Sequence, residues 1–322
     1  MTTTEAGYYL DSFLAPLAPF LERPGVTDIW INRPGEVWLE SLGGGIERVE
    51  EPALDAALLQ RLARQIAAFS SQGISRAQPL LAATLPDGSR VQIAAPPATR
   101  DGYAFSIRRH VSANLSLADW EEAEAFADVE EGHSEFADDR RFLALSGRKA
   151  AYHLREAVRA RRNILVAGGT STGKTTFARS LLSMVDPGER ILTIEDAYEL
   201  FPRQENAVAL KADRSALGER TPARLLEASL RMRPDRIILG ELRGEESRTF
   251  LEAINTGHGG SFTTIHADTA RKAIDRLAIM VMAAGLGMGF EEVKRYCEGS
   301  VDLVVQLSRE GGRRGVAEIL CL

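Results

Sequence analysis

Residues 163–182 read NILVAGGTSTGKTTFARSLL: an apolar run, a glycine loop carrying a lysine, and a return to helical spacing. Every fixed position of a G-x-x-x-x-G-K-[ST] pattern is filled, by Gly168, Gly173, Lys174 and Thr175, with Gly169, Thr170, Ser171 and Thr172 between them. The context agrees, since a strand runs in and a helix runs out. Glycines let backbone N–H groups converge on phosphate oxygens, and the amino end of the outgoing helix adds partial positive charge. Lys174 is expected to reach the β- and γ-phosphates of ATP, and the Thr175 hydroxyl to help hold Mg²⁺. Thr176 belongs to the same expected nucleotide-binding set. A chance lysine in a glycine-rich turn is the competing reading, and the complete pattern with both flanks weighs against it.

The apolar runs NILVAG, RILTIED, RIILGE and SFTTIHA alternate with helical segments, which predicts an α/β fold with a parallel sheet and crossovers. VDLVVQLSRE and GVAEILCL predict a late hairpin around Gly311-Gly312. In open α/β sheets the carboxyl ends of the strands line the ligand crevice. Glu195, Asp196 and Glu241 each end an apolar run and are therefore expected on the side of the glycine loop. A carboxylate placed there can orient or deprotonate an attacking water, or hold Mg²⁺ through water. The alternative is that Glu195 and Glu241 are polar strand caps. His258 and His266 lie eight residues apart, a spacing unlike that of common metal ligands, so they are read as possible sensors of the γ-phosphate.

The length of 322 residues favours two domains. Residues 1–118 read as a smaller N-terminal α+β domain. YYLDSFLAPLAPFL has helical spacing interrupted by Pro16 and Pro19, and ALDAALLQRLARQIAAFS is a full amphipathic helix. Around them lie TDIWIN, EVWLE, IERVE, LLAATLPDG, SRVQIAAPP and YAFSIRRH, short strands separated by turn residues such as Gly43-Gly44-Gly45 and Asp87-Gly88. Residues 119–140 are rich in Asp and Glu, the composition of a solvated linker, and 141–322 form the second domain. A net charge of −6 with pI near 5.6 gives no footprint of a general nucleic-acid binder, and no direct sequence-specific nucleic-acid binding is expected. Cys297 and Cys321 are too isolated for a zinc site or disulfide framework. No apolar run approaches the roughly 20 residues of a membrane span. The acidic start lacks a basic region before an apolar one, so a cytoplasmic location is expected.

Taken together, GGTSTGKT, TIED, LRMRPDRIILGELRG, NTGHGGSFTTIHADT and AIDRLAIMVM, in consistent order from 163 to about 285, resemble the motifs of the secretion ATPases. That superfamily drives type II secretion, type IV pili and type IV secretion. The short chain, the small N-terminal domain and the lack of a four-cysteine motif make it most similar to the type IV secretion and conjugation traffic ATPases. LPDGSRVQIAAPP and FSIRRH also resemble that family's N-terminal pattern.

The resemblance implies a RecA-like P-loop NTPase C-terminal domain, and a homo-hexamer with ATP bound between the N- and C-terminal domains. It implies hydrolysis that powers substrate transfer or pilus assembly, peripheral to the inner membrane and in contact with inner-membrane channel components. Carried over by position, Glu195 is the catalytic carboxylate, Glu241 the acidic residue of the second motif, and His266 a member of the histidine box. Arg90 and Arg108 match phosphate-contacting arginines, with Arg109 a competitor for the second place. Arg203, Arg233 and Arg243 are candidates for charge compensation. Gly240 departs from the pattern by offering no second carboxylate beside Glu241. A pilus or type II secretion motor is the alternative within the superfamily. A small-molecule kinase is the alternative outside it, and it leaves the N-terminal domain and both histidines unexplained. A non-hydrolysing nucleotide-gated scaffold is the remaining one.

Overall fold

The computed structural model describes residues 10, 12–41, 45–109, 115–127, 130–131, 148–214, 220–285, 287–310 and 313–322. Outside them lie the expected turns at Gly43-Gly44 and Gly311-Gly312, the start of the first helix, and most of the acidic run beyond residue 127. The chain divides into two compact units, Met1–Val111 and Ser112–Leu322.

In the first unit the two prolines act as anticipated. Pro16 and Pro19 sit in the first turns of a 3₁₀ turn, Ala15–Leu17, and of a one-turn helix α1, Ala18–Leu21, where a missing N–H costs nothing. Six strands follow: β1 (Val26–Ile31), β2 (Glu36–Ser41), β3 (Ile46–Glu50), β4 (Leu80–Thr84), β5 (Arg90–Ala94) and β6 (Ala104–Arg108). They form one antiparallel sheet in the order β3-β2-β1-β6-β5-β4. Between β3 and β4 runs α2 (Ala56–Phe69), started by Asp55, whose carboxylate accepts the Leu58 N–H at 2.7 Å. Its buried Leu59, Leu62, Ala63 and Ile66 recur at three and four, and they share one core with Ile29, Val37, Val91 and Ile107 from the sheet. Burying one such Leu or Ile contributes roughly 1.5–3 kcal/mol.

The second unit holds α3 (Leu117–Glu122), β7 (Glu130–Glu131), α4 (Arg148–Arg159), β8 (Ile164–Gly168), α5 (Lys174–Leu182), β9 (Ile191–Glu195) and β10 (Ala207–Lys211). It continues with α6 (Pro222–Leu230), β11 (Arg236–Leu239), α7 (Glu246–Asn255), β12 (Phe262–Ile265), α8 (Ala270–Ala283), α9 (Phe290–Ser300), β13 (Leu303–Glu310) and β14 (Arg313–Cys321). The sheet order is β10-β9-β11-β12-β8-β13-β14-β7, parallel from β10 to β13 and antiparallel across the β13–β14 hairpin. Strands β8, β9, β11 and β12 are buried throughout, because helices cover both faces. Along β8 the alternation is visible: Ile164 and Val166 enter one core cluster, Leu165 and Ala167 the other. The half-buried edge strand β10 carries too weak a pattern for it to be placed from sequence.

The acidic segment differs from the solvated linker expected of it. Its first part packs as α3, begun by a Ser116–Asp119 capping box, with Leu117, Trp120, Ala125 and Phe126 in the core of the second unit. Trp120 meets the Phe177 ring edge-on at 5.2 Å between centroids and donates its indole N–H to Ser180 Oγ at 3.1 Å. A few large apolar residues outweigh the surrounding acids, which remain at the surface. No helix among the described residues is long and apolar enough to cross a membrane.

Candidate active site

The glycine loop leaves the carboxyl end of β8 and turns into α5 through Ser171 (φ 60°) and Gly173 (φ 96°), both left-handed. Gly168 has no room for a side chain: a Cβ there would lie 2.5 Å from Thr172 Oγ1 and 3.0 Å from the Leu307 carbonyl oxygen of β13. At Gly173 a Cβ would meet Trp120 at 3.4 Å. Gly173 supplies no side-chain cap to α5, so the helix presents its first N–H groups to an outside acceptor. Thr172 ties the loop to itself by donating to Gly169 O at 3.0 Å. Thr170 is exposed, and Thr175 and Thr176 on the first turn of α5 are half-buried.

Lys174 is 8% exposed, and its Nζ donates to the carbonyls of Gly168 (3.0 Å) and Gly169 (2.7 Å). The same ammonium lies 3.4 Å from His266 Nδ1, at the end of β12. On the other side of that ring, Nε2 is 3.2 Å from Glu241 Oε1, at the end of β11. Glu241 Oε2 in turn accepts from Arg243 at 2.6 Å. The parallel register is what aligns these groups: Ile265 pairs with Ala167 and Leu239 with Thr263, so His266 and Glu241 emerge on the side of the glycine loop.

The electrostatics order the proton positions. Burial and the neighbouring Lys174 charge hold His266 below its usual value, against the pull of Glu241. A neutral ring accepting from Lys174 at Nδ1 carries its proton on Nε2 and donates it to Glu241; the network assigns this tautomer. Burial raises the Glu241 carboxyl, but the hydrogen bond and charge of Arg243, with His266 and Lys174, bring it below the ordinary glutamate value. Glu241 is therefore an anion at neutral pH.

Glu195 has a different setting. It is 4% exposed, and its carboxylate accepts from Thr193 Oγ1 (2.8 Å), Glu199 N (2.7 Å) and Leu200 N (2.8 Å). Burial lifts this carboxyl above its ordinary value, against those hydrogen bonds. Gly240 packs beside it, where a Cβ would lie 3.4 Å from Ile194 O and 3.6 Å from Glu195 Cγ. Asp196 is turned to Arg214, whose Nε donates to both carboxylate oxygens at 2.9 and 3.0 Å.

Of the other expected residues, His258 precedes β12 at its amino end, away from the glycine loop, and its ring nitrogen lies 3.3 Å from Ala253 O. Arg233 is exposed at the amino end of β11. Arg203 lines a small cleft with Arg179 and Phe201, and the Arg179 guanidinium lies 5.2 Å from the centre of the Phe201 ring. In the first unit Arg90 and Arg108 are direct cross-strand partners, and Arg109 is tied to the carbonyls of Arg23 and Val26. Cys297 and Cys321 are free thiols, and burial pushes Cys297 up to about 12. Sequence reasoning missed Arg214 and Glu246, which carry no local motif.

A sequence profile described as Type II/IV secretion system protein matches residues 12–312. The type IV secretion system protein VirB11 of Bartonella quintana is 36% identical over 324 residues, 95% of this chain and 91% of that protein. PtlH of Bordetella pertussis, also a type IV secretion system protein, is 38% identical over 96% of this chain and 94% of its own. The solved VirB11 ATPase of the Brucella suis type IV secretion system, in complex with sulphate, is 35% identical, covers 97% of each chain and superposes with a TM-score of 0.52. The pilus retraction motor PilT with bound ADP shares the fold at 20% identity, over 95% and 82% of the two chains, with a TM-score of 0.61. The phosphate loop, the carboxylate and histidine beside it, and these full-length likenesses lead to one conclusion: the chain belongs to the type II/IV secretion system protein family, with a RecA-like fold and type IV secretion ATPases among its relatives.

Proposed function

We propose that this protein hydrolyses ATP to drive transfer through a type IV secretion system. The observation that carries this is the chain Lys174–His266–Glu241, an ammonium, a neutral imidazole and a carboxylate joined end to end beside an intact phosphate loop. Lys174 exchanges its loop carbonyls for the β- and γ-phosphates, and the amino end of α5 holds the remaining phosphate charge. Glu241 orients the attacking water and takes its proton as the oxygen bonds to the γ-phosphorus, releasing ADP and phosphate. His266 keeps that carboxylate aimed at the loop.

The residues suit Mg²⁺. Among the described residues no three His, Cys, Asp or Glu side chains cluster to hold a metal, and Mg²⁺ bound through one protein hydroxyl and substrate phosphates requires no such cluster. Thr175 would supply that hydroxyl, and the ion would neutralise charge on the phosphate oxygens. Glu195, held by the amides at 199 and 200, shapes the segment after β9 rather than meeting the water.

The names of the relatives support work within a type IV secretion system. The place at the cytoplasmic face of the inner membrane, the ring of six identical subunits and the contact with channel components rest on the motif resemblance alone. Arg90 and Arg108 remain the first unit's proposed contacts to the nucleotide. The test is steady-state phosphate release by the assembled protein, with Lys174→Ala expected to lose nucleotide binding. Protein that binds ATP yet releases no phosphate refutes the hydrolytic reading. Light scattering with a non-hydrolysable ATP analogue tests the ring, and a monomer under all conditions refutes it.

A further inference from the structure

Arg214 lies just past β10 and makes four hydrogen bonds at one point. Its Nε donates to both oxygens of Asp196, one terminal nitrogen to Glu246 Oε1 at 2.8 Å, and the other to the Glu241 carbonyl at 2.9 Å. It thereby ties together the carboxyl ends of β9 and β11 and the start of α7. Glu246 is itself 2% exposed, and its Oε1 also accepts the backbone N–H groups of Arg243 (2.8 Å) and Gly244 (3.2 Å). The turn from Glu241 to Glu246 is thus held at the Glu241 carbonyl by Arg214 and at its far end by a glutamate that Arg214 neutralises.

The charges make this more than a brace. Three carboxylates, Asp196, Glu241 and Glu246, share two guanidinium groups, Arg214 and Arg243. Arg243 stands on Glu241 at 2.6 Å but only 3.8 Å from Asp196. Without Arg214, the buried Glu246 would lack a cation and Asp196 would keep only Arg243 at 3.8 Å, a costly state that the nearest cation relieves by moving toward them. That cation is Arg243, and drawing it away would leave Glu241 without its hydrogen bond.

The geometry points to Arg214 as a positioning residue for ATP hydrolysis: it occupies Asp196 and Glu246 so that Arg243 stays on Glu241, and it fixes the backbone from which Glu241 projects. This rests on the reading of Glu241 given above. Arg214 touches neither Lys174 nor the glycine loop in any contact described, so its removal acts on turnover rather than on nucleotide binding.

Arg214→Gln is expected to lower kcat about 10- to 100-fold, the cost of a misplaced reacting group, with the ADP dissociation constant unchanged within about twofold. Arg214→Lys keeps the charge but not the planar fork, and is expected to bind ADP normally and stay slow. In single-turnover assays on a Glu241→Gln background, Arg214→Gln should change the residual rate by less than about twofold, since the group it positions is gone. An equal loss in both backgrounds, weakened ADP binding by both Arg214 variants, or full rescue by lysine overturns the inference. Unimpaired turnover by Glu241→Gln alone overturns the reading beneath it, and is visible without any change at Arg214.

Discussion

Glu195 and Glu241 end adjacent parallel strands, two carboxylates of one residue type on the same edge of one sheet, yet their surroundings drive them in opposite directions. Among the described residues no cation pairs with the Glu195 oxygens; a hydroxyl and two backbone amides fill them, and burial raises its carboxyl. Glu241 has Arg243 on one oxygen and His266 on the other, with Lys174 behind the ring, and its carboxyl is lowered. The end of a strand brings an acid to the right edge of an α/β sheet. Which of the two acids is held as an anion beside Lys174 and His266 is set by the partners that the neighbouring segments supply.

The largest test of this asymmetry is Glu241→Gln set beside Glu195→Gln. The first should lower kcat by roughly 10²–10⁴-fold, the range of a lost general base, with ATP still bound. The second keeps an acceptor oxygen for the two amides and should turn over nearly as fast as the unaltered protein. ATP trapped equally by both variants would erase the distinction. Next in size is Glu195→Ala, which strands two buried donors and one part-buried donor and should cost about 1–3 kcal/mol in chemical denaturation. A stability loss of that size at Glu241→Ala, with none at Glu195→Ala, would reverse the roles.

His266→Ala removes the link between Lys174 and Glu241, and kcat should fall roughly tenfold, the worth of one hydrogen bond to a charged partner. Unchanged turnover would show that Arg243 alone aims the carboxylate. The smallest effect is in the pH dependence of stability. A raised Glu195 favours folding below the ordinary value of 4.5, and that contribution is lost as pH rises through its folded value. A lowered Glu241 contributes above 4.5, and that contribution is lost as pH falls through its folded value. Denaturation midpoints across pH should therefore change slope in opposite senses for Glu195→Gln and Glu241→Gln; slopes moving together would contradict the assignment.

Much of this molecule was legible in its sequence for identifiable reasons. The strands β8, β9, β11 and β12 are short buried runs rich in apolar and β-branched residues because helices bury both of their faces, and the glycine loop is a local motif whose meaning lies in consecutive residues. Glu241 and His266 could be found because they end such runs. Arg214 could not, because nothing within KADR marks it and its four bonds reach residues on three other segments. Glu195 was legible as a strand-end acid but not as a buried one, since its amide partners lie in the irregular stretch after it. Trp120 hid inside an acidic run, where composition suggested solvent and one large indole determined otherwise.

The backing of Gly168 by the carbonyl of Leu307 has a consequence for biosynthesis. A ribosome delivers the whole GGTSTGKT sequence long before it delivers β13, the strand that pairs along Ile164–Gly168 and closes the space behind the loop. Every residue of the motif is then in hand while the surface that shapes it is still untranslated. A stalled chain that bears the complete motif therefore still lacks the wall against which Gly168 packs.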